Sequence, residues 1–193
     1  MQESTGAALS APRTPDDDGT PAANARPGVL RRYVLAAILA LALDQASKVW
    51  ALAELGDGRS RPLIGELLSL RLIHNSGAAF SIGDSMTWVM TLVAVCVTLA
   101  ILWASRRVAS THWGLALGML LGGSLGNLYD RFFRPPGPLR GHVVDFIDYG
   151  GLFVGNIADI AIVAGAAMLI WLVFTNQGLD GSRPQHAKEQ TDE

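Results

Sequence analysis

Carboxylates and carboxamides recur in this sequence at the edges of long apolar runs. Asp44 and Lys48 stand four residues apart, so on a helix they share a face and could pair with each other. Asn127, Asp130 and Arg131 close a second run, where Asp130 with Arg131 could form an interfacial ion pair. Asn156 and Asp159 open a third. An ionisable group at the centre of a membrane span costs about 2.5–3.5 kcal/mol on insertion scales, so each needs a partner or a purpose. Asp159 has no basic residue between Arg140 and Arg183. Desolvation should favour its protonated form, and a second carboxylate nearby would favour it further. Asp145 and Asp148, in the segment leading to Asp159, are the candidates for that second group. Two aspartates sharing one proton could activate water against an amide; a structural or proton-relay role is the alternative.

Other chemistries find less support. His74, His112, His142 and His186 are scattered without metal-ligand spacing, so no metal or other cofactor is expected. There is no G-x-S-x-G elbow and no P-loop. Ser124, in Gly122-Gly123-Ser124-Leu125-Gly126, reads as a small residue in a helix-packing face. Presenilin-type peptidases carry G-x-G-D, which Ser81-Ile82-Gly83-Asp84 does not supply. The single cysteine, Cys96, excludes an internal disulfide and is expected to be buried as a small hydrophobe.

These groups belong to a chain that is 50% hydrophobic and 17% charged, against about a quarter charged in soluble domains. That composition indicates a membrane protein. A net charge of −2 gives no basic field for nucleic acid. Residues 1–28, rich in Ala, Pro, Gly and Asp, are expected to be disordered, as is the tail 176–193. Between them, 29–175 reads as one unit, an all-α polytopic membrane protein with four transmembrane helices near 31–52, 85–105, 112–132 and 153–174. The apolar start of the first could alternatively be a signal-peptide core with Ala40-Leu41-Ala42 as its cleavage box. Between the first two spans, Leu67–Ile73 suits a little β-structure on the outer membrane surface, and His142–Ile147 reads as extended. Four crossings put both termini on one side and gather Asp44–Lys48, Asp84, Asn127–Arg131 and Asn156–Asp159 on the other. Arg31-Arg32 and Arg106-Arg107 favour cytoplasmic termini.

Five blocks occur in order: Asp44-Gln45-Ala46-Ser47-Lys48; Asn75-Ser76-Gly77-Ala78-Ala79-Phe80-Ser81; Gly122 to Arg131; Val143-Val144-Asp145-Phe146-Ile147; and Asn156-Ile157-Ala158-Asp159. Together they resemble the motifs of bacterial lipoprotein signal peptidase (signal peptidase II) over residues 30–174. The resemblance implies an aspartyl endopeptidase of the bacterial cytoplasmic membrane. It would act as a monomer on diacylglyceryl-modified prolipoproteins, in contact with membrane lipid, and cut before the lipidated cysteine. It maps the catalytic pair onto Asp145 and Asp159. The pocket and the grip on substrate and lipid fall to Asp44, Lys48, Asn75, Gly77, Asn127, Asp130, Arg131 and Asn156, with the site facing outward. Two features depart from the family pattern: Gly155 stands where an aromatic residue is common, and the Pro-rich stretch Phe133–Leu139 lengthens the loop before Asp145. A small proton-coupled transporter using the same carboxylates is the alternative function, and a non-catalytic scaffold would leave the gathered Asp and Asn residues without a purpose.

Overall fold

The computed structural model describes residues 27–77, 87–179 and 182. Nearly all of the two expected tails lies outside them, as do Ala78–Ser81 of the second block. The chain forms α1 (Pro27–Glu54), β1 (Arg61–Ile64), β2 (Leu68–Asn75), α2 (Thr87–Ser105), α3 (Thr111–Phe133), β3 (Val143–Asp148), β4 (Val154–Gly155) and α4 (Ile157–Phe174).

Three of the four helices, α1, α2 and α4, are long and apolar enough to cross a membrane. Glycines, His112, Ser124 and Asn127 dilute the apolar content of α3, which instead packs against each of the other three helices. Outward faces carry large apolar side chains such as Leu35, Ile38, Val93, Leu99, Val163 and Ile170. On α2 the inward residues are Thr87, Thr91, Thr98 and Ile101. This reverses the soluble pattern, as a lipid-facing surface requires. Cys96, expected to be buried, is exposed on that outer face: apolar neighbours on a membrane helix signal lipid as readily as a protein core.

Glycines set the spacing of α1 and α3. A Cβ at Gly118 or Gly122 would lie 2.4 Å from the carbonyl oxygen of Tyr33 or Ala37, and one at Gly126 would lie 2.4 Å from Asp44 Oδ2. Gly114 faces Val29 in the same way. The two helices therefore run parallel, packed along a small-x-x-x-small ridge. Ala37, in the candidate signal-peptide core, and Ala40, in its cleavage box, are buried in this interface, and α1 continues through it unbroken to Glu54. Gly123 approaches Ala158 of α4, and Gly165 of α4 approaches Ala116.

At one end of the bundle lies an antiparallel sheet in the order β1-β2-β3-β4. The expected strands between α1 and α2 are joined by β3 and β4 from the α3–α4 connection. Phe146 of β3 packs on Ala51 and Leu55 at the end of α1, with Trp50 edge-on at 6.1 Å. The fourth helix starts at Ile157 rather than near 153, because Val154–Gly155 pairs with β3 and Asn156 caps the helix.

Replacing Gly122 by Ile forces a side chain against backbone that cannot turn aside. Overpacking of this kind costs about 1–3 kcal/mol, so the thermal midpoint in detergent should fall. Gly28→Ala, with no atom within 4 Å of the new carbon, should stay within about 1 kcal/mol of the parent.

Candidate active site

The site begins with Lys48, which is fully buried on α1. Its Nζ lies 2.9 Å from Asp44 Oδ2, 2.8 Å from Asp130 Oδ2 and 3.0 Å from Asn127 Oδ1. An ammonium has three donors, and here all three find acceptors. The expected Asp44–Lys48 pair thus forms, as part of a larger cluster. The expected Asp130–Arg131 pair does not, since adjacent helical residues point apart. Asp130 instead accepts from Arg134 Nε one turn on. The Arg131 Nη1 donates to the carbonyls of Ser76 and Gly141, at 3.2 and 3.3 Å.

Each carboxylate beside Lys48 also grips a backbone amide. The Ala158 N–H donates to Asp44 Oδ1 at 3.0 Å, and the Val144 N–H donates to Asp130 Oδ2 at 3.1 Å. Those are the residues immediately before Asp159 and Asp145.

Asparagine side chains complete the frame. Lys48 can only donate, so the amide oxygen of Asn127 faces it and Nδ2 is left to donate to Asp159 Oδ1 at 3.0 Å. Asn156 is 1% exposed. Its Nδ2 donates to Asp145 Oδ1 at 2.6 Å and to Asn127 Oδ1 at 3.2 Å. Its Oδ1 accepts from the Asp159 N–H while Asp159 Oδ2 accepts from the Asn156 N–H, a capping box that starts α4. Asn75 Nδ2 donates to Asp145 Oδ2 at 2.8 Å, diagonally across the β2–β3 ladder, and Asn75 Oδ1 accepts from the Gly77 N–H. Gly77 has φ +86°, and a Cβ there would lie 2.9 Å from Met90 Cγ. The turn therefore needs glycine.

Asp145 and Asp159 line one cavity of about 310 Å³, together with Asn75, Asn127, Arg131 and apolar residues of α2. Of the two, Asp145 is the more deeply buried, at 2% exposed, while Asp159 is half-buried. Burial pushes the Asp145 carboxyl up to about 6; the bond from Asn75 opposes that rise and the charge of Asp159 adds to it. Asp148, the other candidate partner, falls on the opposite face of β3 and is bound by Arg71 Nη2 at 3.2 Å and by the Gly151 N–H.

The two departures from the family pattern prove local. Gly155 is buried, and a Cβ there would come 3.0 Å from Asp159 Oδ2, while Phe153 stacks on Tyr149 at 4.4 Å. The Pro-rich excursion closes on itself, since the Gly141 N–H donates to the Arg131 carbonyl and the His142 N–H to that of Pro135. It leaves the Val144–Asp130 contact intact.

Sequence reasoning missed Arg134, although its i, i+4 spacing from Asp130 signals the pair, and Gln45, whose Nε2 donates to Asp44 Oδ2 and the Gly126 carbonyl.

Residues 36–175 match the family model described as signal peptidase (SPase) II. The chain belongs to the signal peptidase II family. It is 46% identical over 169 residues to the lipoprotein signal peptidase of Mycobacterium tuberculosis (strain ATCC 25618 / H37Rv), covering 88% of this chain and 84% of that protein. Identity to the lipoprotein signal peptidase of Rhodococcus jostii (strain RHA1) is 46% over 171 residues, covering 87% and 86%. Among solved structures, a bacterial membrane enzyme determined by the in meso method at 1.9 Å resolution aligns with TM-score 0.64 and 25% identity, over 75% of this chain and 93% of that one. Membership in the family makes the chain an aspartic peptidase with lipoprotein signal peptidase function.

Two outcomes follow from the electrostatics. Lys48→Met leaves Asp44 and Asp130 buried without their shared cation, and should cost about 3–5 kcal/mol of stability by thermal unfolding in detergent. Asp145 is raised above its unfolded value of 3.8. Its stabilising contribution is therefore full below pH 3.8 and is lost as pH rises through about 6. Asp145→Asn should accordingly be more stable than the parent at pH 7. The gain should reach about 3 kcal/mol at most, since each tenfold difference in proton affinity is worth about 1.36 kcal/mol, and it should vanish below pH 3.8.

Proposed function

We propose that Asp145 and Asp159 are the catalytic carboxylates of this peptidase. One observation carries this reading. Among the described residues, the buried carboxylates Asp44, Asp130 and Asp148 each hold a cation, whereas Asp145 and Asp159 hold only amide donors and line the same cavity. One carboxylate takes a proton from water as it attacks the scissile carbonyl. The other, protonated, donates to the carbonyl oxygen and then to the leaving amine. The two roles call for one proton between the pair.

The substrate is a prolipoprotein whose cysteine carries a diacylglyceryl group, cut just before that cysteine. Its apolar signal segment enters sideways from lipid along Met90, Val93 and Val97, which form the apolar wall of the cavity. Asn75 and Asn127 hold the carboxylates, and with Arg131 they offer donors to the backbone of the substrate. All four helices cross the bilayer, with α3 packed against each of the other three. The termini are cytoplasmic, on the side of Arg31-Arg32 and Arg106-Arg107, and the sheet and carboxylates face outward. The enzyme works as a monomer in this reading.

Purified protein incubated with a lipidated precursor should release the signal peptide equally well with and without chelator. Asp145→Asn and Asp159→Asn should each lower turnover by about 10²–10⁴-fold or more while still inserting in the membrane; undiminished cleavage by either variant would sink the assignment.

A further inference from the structure

The β2–β3 ladder is a wall with a space on each side. Successive strand side chains alternate in direction, so Asn75, Val143 and Asp145 line the carboxylate cavity while His74, His142 and Val144 line a second one of about 450 Å³. Its remaining wall includes Leu52 at the end of α1 and Arg134 just past the end of α3, and among the described residues no carboxylate lines it.

Arg134 spends only its Nε on Asp130. Its two terminal nitrogens make no hydrogen bond to any described residue and remain available as donors. A guanidinium edge of this kind matches the oxygens of a phosphate, and the two imidazoles add N–H donors from separate elements. The level of the cavity also points to a ligand. It lies where α1 and α3 end and the sheet begins, the depth of lipid headgroups for helices that cross a bilayer. Val49, one turn below Leu52, and Phe133, beside Arg134, are 63% and 73% exposed. Both present apolar surface of the kind acyl chains cover, at the helix ends that border the cavity.

We propose that this second cavity binds a phosphate group, carried by the headgroup of an anionic phospholipid. The site is separate from the carboxylate cavity and does not depend on which residues cut the substrate.

The full chain in neutral detergent, presented in turn with phosphatidylglycerol, phosphatidylcholine and inorganic phosphate, tests this by native mass spectrometry and thermal unfolding. The parent should retain phosphatidylglycerol at least tenfold more than Arg134→Gln or Leu52→Trp, with a smaller difference for phosphatidylcholine, whose own ammonium competes for its phosphate. Leu52→Trp fills the space by bulk and keeps every polar group, so the test stands even where Arg134→Gln fails to fold. A rise in melting temperature with inorganic phosphate, without preferential lipid retention, would overturn the lipid as the source and leave a free-phosphate site. Equal retention by parent and variants, with no response to phosphate, would overturn the site altogether.

Discussion

One buried ammonium organises this end of the molecule. Lys48 is tolerable at zero exposure because its three donors meet Asp44, Asp130 and Asn127. The consequences run outward along two matching paths. Asp44, held by Lys48, fixes the amide of Ala158 and so the start of α4; Asp130, held by the same nitrogen, fixes the amide of Val144 and so the start of β3. Asp159 and Asp145 are the next residues on each path. A helix from one part of the chain and a strand from another are thus set against a single cation, which places two carboxylates in one cavity without either of them touching that cation.

The glycines of α3 make this arrangement geometrically possible. Gly114, Gly118 and Gly122 bring α1 into backbone contact, and Gly126 continues the same ridge to the point where Asp44 and Lys48 face Asn127 and Asp130. A larger residue at Gly126 would occupy the position of Asp44 Oδ2. Packing and electrostatics are therefore one feature here. The ridge determines the distance between helices, and that distance lets a side chain as long as lysine reach acceptors on both.

Much of this is legible in the sequence, and the physics explains what is not. Apolar runs and the charges at their ends locate the helices, because lipid imposes a strong compositional rule. The polar blocks locate the site, because buried polar groups must be satisfied and so occur in clusters. Periodicity cannot show which side of an apolar helix meets protein: lipid and protein core are both apolar, so Cys96 reads as buried when it faces outward. The start of α4 shifts because Val154–Gly155 pairs with a strand whose own ladder partner is distant in sequence. Spacing leaves Asp145 and Asp148 as equal candidates; the resemblance selects Asp145, and β3 supplies the physical reason, since a strand sends residues three apart to opposite faces. Arg134 escapes notice because it opens a Pro-rich stretch that reads as a turn rather than as the end of a helix.

The charge balance of the cluster bears on the chemistry as well as on the fold. Lys48, Arg131 and Arg134 stand against Asp44, Asp130, Asp145 and Asp159, so this group of neighbours has one more carboxylate than cation. In a medium of low dielectric such an excess is costly, and one bound proton removes it. The four carboxylates differ in how fully their oxygens are engaged. Both oxygens of Asp44 are engaged by Lys48, Gln45 and the Ala158 amide, and both oxygens of Asp130 by Lys48, Arg134 and the Val144 amide. Each oxygen of Asp145 and Asp159, by contrast, accepts a single hydrogen bond from an amide, which leaves lone pairs open toward the cavity. The same network that saturates two carboxylates with cations thus leaves the other two with acceptor capacity facing the cavity, the arrangement on which the proposed assignment of Asp145 and Asp159 rests.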